Sequence, residues 1–381
     1  MWYLQPGKWR YLQLGTTISR RSCLGLGHER RTFRTRAAEV IHYLVRVTLR
    51  VFVGLVILAT ACSPVPGERL LITSGFTDQI FVLDAHTGRV TDSLSLDRRP
   101  GERDEPHSVT VSPDGSHFYA TLSHGEPSLW KYESDGLRLV GRLTLPTNGA
   151  SRIRLSPDGL IAAIPDYWLS GGGVKSRVAF VRTDDLTVLA NPKLCPAPHD
   201  AVFSPSGDRV AVTCPLSDEL VIIATDGFIE INRLTVGETG DRPLNAAWMP
   251  EGKSLLVTLA NGSKLLELEI SKEIRESSQI ITGRQPAQLA IAPGGSTVVV
   301  ANRGSGSVTI TTSDGARSTE IDVPGPHPHG VAFGQDPTVV YVTYEGDTRT
   351  LGGVVAIDVH TGEILWRTEV GSFTLGVAVL P

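Results

Sequence analysis

Along residues 69–381 apolar residues come in short runs separated by tight polar turns, and one phrase keeps returning. A stretch of alternating apolar and polar positions leads into Ser-Pro-Asp-Gly or a degraded form of it. The copies are Val109-Thr-Val-Ser-Pro113-Asp-Gly115, Ile153-Arg-Leu-Ser-Pro157-Asp-Gly159, Ala201-Val-Phe-Ser-Pro205-Ser-Gly207, Ala246-Ala-Trp-Met-Pro250-Glu-Gly252 and Leu289-Ala-Ile-Ala-Pro293-Gly-Gly295. Val331-Ala-Phe-Gly-Gln335-Asp336 is a further copy, and Val377-Ala-Val-Leu-Pro381 stops at the proline. Positions 113, 157, 205, 250, 293, 335 and 381 are spaced by 44, 48, 45, 43, 42 and 46 residues. A period of that length with several short strands per repeat predicts a β-propeller.

Each repeat reads as four antiparallel strands. The stretch before the turn is the inner strand a. The turn itself has a mechanism, because Pro presets its own φ, Asp bonds nearby backbone and Gly accepts a positive φ. Strand b follows, as in Arg209–Thr213 and Thr297–Asn302, and strand c reads Gln79–Asp84, Leu220–Ala224 or Val354–Asp358. Thr87-Gly88, Asp226-Gly227 and Thr361-Gly362 then turn the chain into an outer strand d. The b and c runs are almost continuously apolar, as strands sandwiched between neighbouring blades should be. The first run, Arg69–Thr73, is a strand b with no strand a before it, and the last, Gly376–Leu380, is a strand a with no strand b after it. Paired, they complete a seventh blade and leave no open sheet edge.

Tyr341-Val-Thr-Tyr344, Val299-Val-Ala-Asn302 and Phe118-Tyr-Ala-Thr121 on strand b resemble the repeat phrase of the YVTN family of bacterial β-propellers. So do Ile80-Phe-Val-Leu-Asp84-Ala-His-Thr-Gly88 and Val355-Ala-Ile-Asp358-Val-His-Thr-Gly362. The resemblance covers residues 68–381 and implies the fold. It leaves function open, because related propellers include binding proteins, lactonases and propeller domains of redox enzymes. The Gly-His and Trp-Asp pairs of WD40 repeats are absent. Ala356-Ile-Asp358-Val-His-Thr-Gly362-Glu-Ile-Leu-Trp366 resembles the tryptophan-docking motif of quinoprotein dehydrogenases, but occurs once, so Trp366 is expected to pack between blades.

Charge separates the N-terminus from the rest. Residues 1–62 carry ten Lys/Arg against Glu29 and Glu39, whereas residues 63–381 have a net charge of −12. A body that acidic repels a phosphate backbone, so nucleic acid is not an expected partner. Arg46 and Arg50 precede the apolar run Val51–Ala61, which is too short to span a bilayer as a helix. A basic flank, a short apolar stretch and small residues mark a secretory signal. Its Leu58-Ala-Thr-Ala-Cys62 ending resembles a bacterial lipoprotein box, although Leu58 stands one place further from Cys62 than is usual. The alternative is an ordinary signal peptide with an incidental Cys. The division expected is therefore a non-structural or mistranslated leader at 1–44, a signal and lipobox at 45–62 with lipidation at Cys62, and the propeller at 63–381. Export, membrane anchoring through Cys62 alone and a monomeric state follow.

In a propeller the d–a and b–c loops share one face, and the start of strand a points at the mouth of the central channel. Reading that position around the ring gives His107, Arg152, His199, Asn245, Gln288, His329 and Leu375. Each of the three histidines follows a proline. Neutral imidazoles converging on an axis can hold a metal or polarise a ligand. Their placement resembles the copper-site histidines of nitrous oxide reductase propellers, and Pro326-His-Pro-His329 is similar to a phrase of propeller lactonases. If His107, His199 and His329 act as ligands, a single metal ion or a haem-like cofactor at the channel mouth is implied. Otherwise they cap strand a and bond backbone and water. Two insertions rise from the same face, Asp166–Lys175 with Tyr167 and Trp168, and Glu345–Gly353. Cys195 and Cys214 lie on that face and are expected to form a disulfide within one blade. No nucleophile elbow, zinc-binding helix, P-loop or dinucleotide fingerprint is present. The leading expectation is thus an exported, lipid-anchored binding propeller that presents its channel face to a protein or small ligand without catalysis. The competing one is a metal- or cofactor-binding redox or lactonase-type enzyme that uses the channel-mouth histidines.

Overall fold

Each repeat forms one antiparallel sheet, and seven sheets follow one another around a ring. The computed structural model describes residues 67–381 except 99–100, 168, 170–171, 272 and 348. The leader at 1–44, the signal at 45–62 with Cys62, and Trp168 lie outside the described residues. Blade 1 is closed as the sequence requires: Thr374–Leu380 pairs antiparallel with Arg69–Ser74, with Leu71 opposite Ala378 and Ile72 opposite Val377.

The core is distributed. Seven apolar clusters are found among the described residues, one at each seam between neighbouring blades. At the seam of blades 1 and 2, Leu71, Ile80 and Leu380 pack against Phe118, Leu122 and Trp130. At the seam of blades 7 and 1, Tyr341, Val354 and Ala356 pack against Leu70, Ile72 and Leu83. This is why strands b and c read as unbroken apolar runs: both of their faces are covered. The d strands are open instead: Val90–Ser95 is exposed at every position but Leu94, and Ile364–Glu369 alternates between half-covered and exposed positions. Trp366 packs between blades as expected, its indole N–H donating to the Ala85 carbonyl at 3.2 Å.

The Ser-Pro-Asp-Gly turn also joins blades. Gly159 has φ +73°, and a Cβ there would meet the Pro113 ring of the preceding blade at 2.8 Å. The turn glycines Gly115 and Gly295 face Pro381 and Pro250 in the same way, at 3.0 and 3.1 Å. The Pro and Gly of one phrase thus interlock with those of its neighbours, which gives the repeat a reason beyond turn geometry.

A second tie comes from threonines on strand b. The hydroxyls of Thr121, Thr213, Thr258 and Thr343 donate to the carbonyls of Ser151, Leu244, Ala287 and Leu375 on the next blade, at 2.7–2.9 Å. These four acceptors all sit six places before the turn proline or its equivalent, so a belt of hydrogen bonds fixes strand a where the channel opens.

Cys195 and Cys214 are bonded, with Cα atoms 6.0 Å apart. The bond does not stay within one blade. Asn191-Pro192 interrupts the outer strand of blade 3, because proline cannot donate to a ladder, and its second piece, Lys193–Pro196, pairs with Lys175–Arg177 of the same blade. Cys195 therefore belongs to blade 3 and Cys214 ends strand b of blade 4, so the disulfide staples two blades. Replacing both by Ser frees a loop closed across 19 residues. Loss of that constraint is expected to lower stability by about 3 kcal/mol. The check is the denaturation midpoint in non-reducing buffer, and a midpoint equal to that of the wild type contradicts the expectation.

Candidate functional site

The d–a loops enter strand a through a repeated backbone device. Glu105, Ala197, Arg242, Gln285, His327 and Phe373 all take the left-handed conformation, with φ between 46° and 59°. In the first five a proline follows, and the residue after that proline is the first of strand a to face the cavity. Those residues are His107, His199, Leu244, Ala287 and His329, and Leu375 occupies the matching place in blade 1. They line a cavity of about 560 Å³ at the channel mouth.

Arg152, Asn245 and Gln288 are not on this rim. They stand one residue further along their strands, and successive residues of a strand point in opposite directions. Arg152 and Gln288 line a second, deeper part of the channel of about 300 Å³. Asn245 is fully buried and donates its amide to the Ala287 carbonyl at 3.1 Å. The expected single ring of His107, Arg152, His199, Asn245, Gln288 and His329 therefore separates into two storeys. The proline immediately before five of the rim residues was the register mark that distinguishes them.

The three imidazoles do converge. His107 lies 6.1 Å from His329 and 6.3 Å from His199 between ring centroids, edge to face in both cases. Burial holds all three neutral. It pushes His107 down to about 3, assisted by the neighbouring His329, and His329 down to about 3, assisted by His199 and Arg303. His199 is pushed down to about 4 by burial, against the opposing pull of Asp200. The Nδ1 of His199 donates to the Leu244 carbonyl at 3.0 Å, which fixes the tautomer and leaves the lone pair on Nε2. His329 Nδ1 contacts the Leu375 carbonyl and the Gln288 amide, each at 3.4 Å.

Among the described residues no group of three or more His, Cys, Asp or Glu is placed to hold a metal ion. The Nδ1 of His199 is spent on a backbone carbonyl, so any ligand would meet its Nε2.

Side chains that the repeat pattern did not single out complete the cavity wall. Arg303 forms a two-pronged ion pair with the buried Glu345 at 2.6 and 2.8 Å, tying blade 6 to the insertion in blade 7. Glu105 lies 3.4 Å from His124 and raises its pKa through a hydrogen bond. Arg242 lines the cavity and has no ion pair among the described residues. All five stand at loop positions, where a repeat carries no information about side-chain choice. From the blade 3 insertion, Tyr167 places its ring 4.6 Å from His199, edge to face, as a wall of the site.

By fold the chain is similar to the periplasmic gluconolactonase of Pseudomonas aeruginosa, at 18% identity and a TM-score of 0.66, covering 83% of this chain and 99% of that one. A candidate 6-phosphogluconolactonase of Bacteroides fragilis aligns at 14% identity and a TM-score of 0.64, covering 84% of this chain and all of that one, 100%. Dihydro-heme d1 dehydrogenase NirN, solved in complex with DHE, aligns at 14% identity and a TM-score of 0.57, over 83% and 76% of the two chains. No protein-family model and no curated protein matches the chain. The expectation of a non-catalytic binding propeller is overturned by these neighbours, which carry enzyme names and match over most of their length; the competing enzyme reading fits them better. The chain is a seven-bladed β-propeller with lactonase propellers among its structural neighbours.

Proposed function

We propose that the protein is a lactonase that opens the cyclic ester of a sugar acid at the channel mouth. One observation carries this reading: His199 faces the cavity as a neutral imidazole whose Nδ1 is anchored to the Leu244 carbonyl, so that Nε2 is free to take a proton. An anchored base of this kind is what ester hydrolysis by water needs.

In the proposed reaction a water oxygen attacks the lactone carbonyl carbon while Nε2 of His199 removes its proton. The carbonyl oxygen takes up negative charge, and Arg242, unpaired among the described residues, stabilises it. The ring C–O bond then breaks, and the imidazolium returns its proton to the departing alkoxide. The product is a hydroxy acid, which loses a proton to solvent. Glu105, Asn261 and Gln285 line the same cavity and offer partners for sugar hydroxyls. The balance of neutral imidazoles, amides and one unpaired guanidinium suits a polyhydroxylated uncharged ring.

Export with a lipid anchor at Cys62 belongs to the same reading. The Cys195–Cys214 bond fits an oxidising compartment, and the Pseudomonas aeruginosa neighbour is named as periplasmic.

Acid release from D-glucono-δ-lactone, followed by pH-stat with the full chain, tests the proposal. The expected kcat/KM is on the order of 10⁴ M⁻¹s⁻¹ or more. A rate equal to the spontaneous one, for this and for other aldonolactones, overturns it.

A further inference from the structure

Beneath the histidines the channel wall carries a charge imbalance that the proposed hydrolysis does not use. Arg154 grips Asp200 with two prongs, Nε to Oδ1 at 3.0 Å and Nη2 to Oδ2 at 2.9 Å. Asp200 also accepts the N–H of Ala201 at 3.1 Å and of Ala246 at 3.3 Å. Its oxygens are therefore committed, and the side chain is wholly buried. Arg152 stands beside this pair and receives none of that carboxylate. It makes one hydrogen bond among the described residues, from Nη1 to Asn245 Oδ1 at 3.0 Å. A guanidinium has five N–H donors, so most of those on Arg152 remain unspent.

The surroundings supply no second negative charge. The cavity of about 300 Å³ that Arg152 and Arg154 line has Ser108, Thr110 and Gln288 as its other polar side chains, and the rest of its lining, such as Val111, Phe333 and Val377, is apolar. The titratable groups above it are His199 and His329, both held neutral. Two guanidiniums and one carboxylate leave one positive charge in excess. Burial pushes Arg152 down to about 9, with Arg154 repelling it and Asp200 opposing. Keeping an unbalanced guanidinium away from bulk water is costly unless an anion joins it.

We propose that Arg152, with the Gln288 amide and the Ser108 hydroxyl on the same wall, binds a small monovalent anion of halide or formate size at the waist of the channel. The anion satisfies the fork of Arg152 and completes the charge balance of the Arg152–Arg154–Asp200 cluster. It enters through the lower channel and does not depend on the lactone site.

The test uses the full chain with sodium chloride and, separately, sodium formate, at ionic strength held constant with a bulky organosulfonate. The expected result is a saturable rise in Tm with either small anion. In Arg152→Gln the half-saturating concentration rises roughly tenfold or more, the loss of one charge-assisted hydrogen bond. Chloride NMR line broadening by the wild-type chain, reversed by excess formate, supplies the same answer without any substitution should Arg152→Gln fail to fold. No saturable effect of either anion on the wild type overturns the proposal, as does Arg152→Gln binding with unchanged affinity. Lactone hydrolysis without anion binding, or the reverse, separates this site from the catalytic reading above.

Discussion

Replacing His199 by Gln is expected to lower kcat/KM for an aldonolactone about a hundredfold or more, the usual contribution of a positioned general base. The side chain keeps a similar length and a polar end, so the Leu244 carbonyl can still be bonded and the Tyr167 ring still has a partner to pack on. What Gln lacks is a lone pair able to take a proton from water. The loss should therefore fall on kcat more than on KM, because the removed interaction is made in the transition state. Circular dichroism of the variant should match the wild type. A variant with undiminished kcat/KM would assign the base elsewhere, with His107 and His329 the next imidazoles on the rim.

Deleting Thr374–Pro381 is expected to abolish cooperative folding. The segment is the inner strand of blade 1 and contributes to two seams at once: Ala378 and Leu380 to that with blade 2, and Val377 and Val379 to that with blade 7. It also carries the Leu375 carbonyl that Thr343 bonds at 2.8 Å, and Pro381, against which Gly115 turns. Burial of Leu375 and Leu380 alone is worth about 3–6 kcal/mol. That rivals the stability of a typical domain, which is roughly 5–15 kcal/mol. The truncation would further expose Arg69–Ser74 as an apolar open edge, which invites aggregation. Soluble protein with a wild-type Tm would contradict the closure.

The ring was legible because its cause repeats. Pro113, Pro157 and their counterparts are fixed by two demands at once, a turn and a contact with the neighbouring glycine, so the pattern survives wherever both persist. The seam residues were legible for the same reason: strands covered on both faces have no polar positions to spare. The rim was only half legible. His107, His199 and His329 stood out, but counting inward from different marks mixed them with Arg152, Asn245 and Gln288, because a strand reverses its facing at every residue. Arg242 and Arg303 had no marker at all, and Glu345 was visible only as the start of an insertion. They occupy loops whose backbone is set by the repeat and whose side chains are free to vary, and only the fold shows that blades distant in sequence bring them to one wall. The pairing of Cys195 with Cys214 followed from their shared face and the compartment, yet its span across two blades depended on Pro192 breaking an outer strand.

The account stands on a neutral imidazole acting as base in a buried mouth. A base works only when unprotonated, and burial lowers the His199 pKa from its ordinary 6.5 to about 4. Activity should therefore persist as pH falls through 6.5 and be lost only as it falls through about 4. The pH dependence of kcat/KM for lactone hydrolysis, corrected for the spontaneous rate, measures this in the free enzyme. A profile level between pH 7 and 5 and falling near pH 4 is the predicted result. A profile that declines through pH 6.5, as for a solvated imidazole, would contradict it.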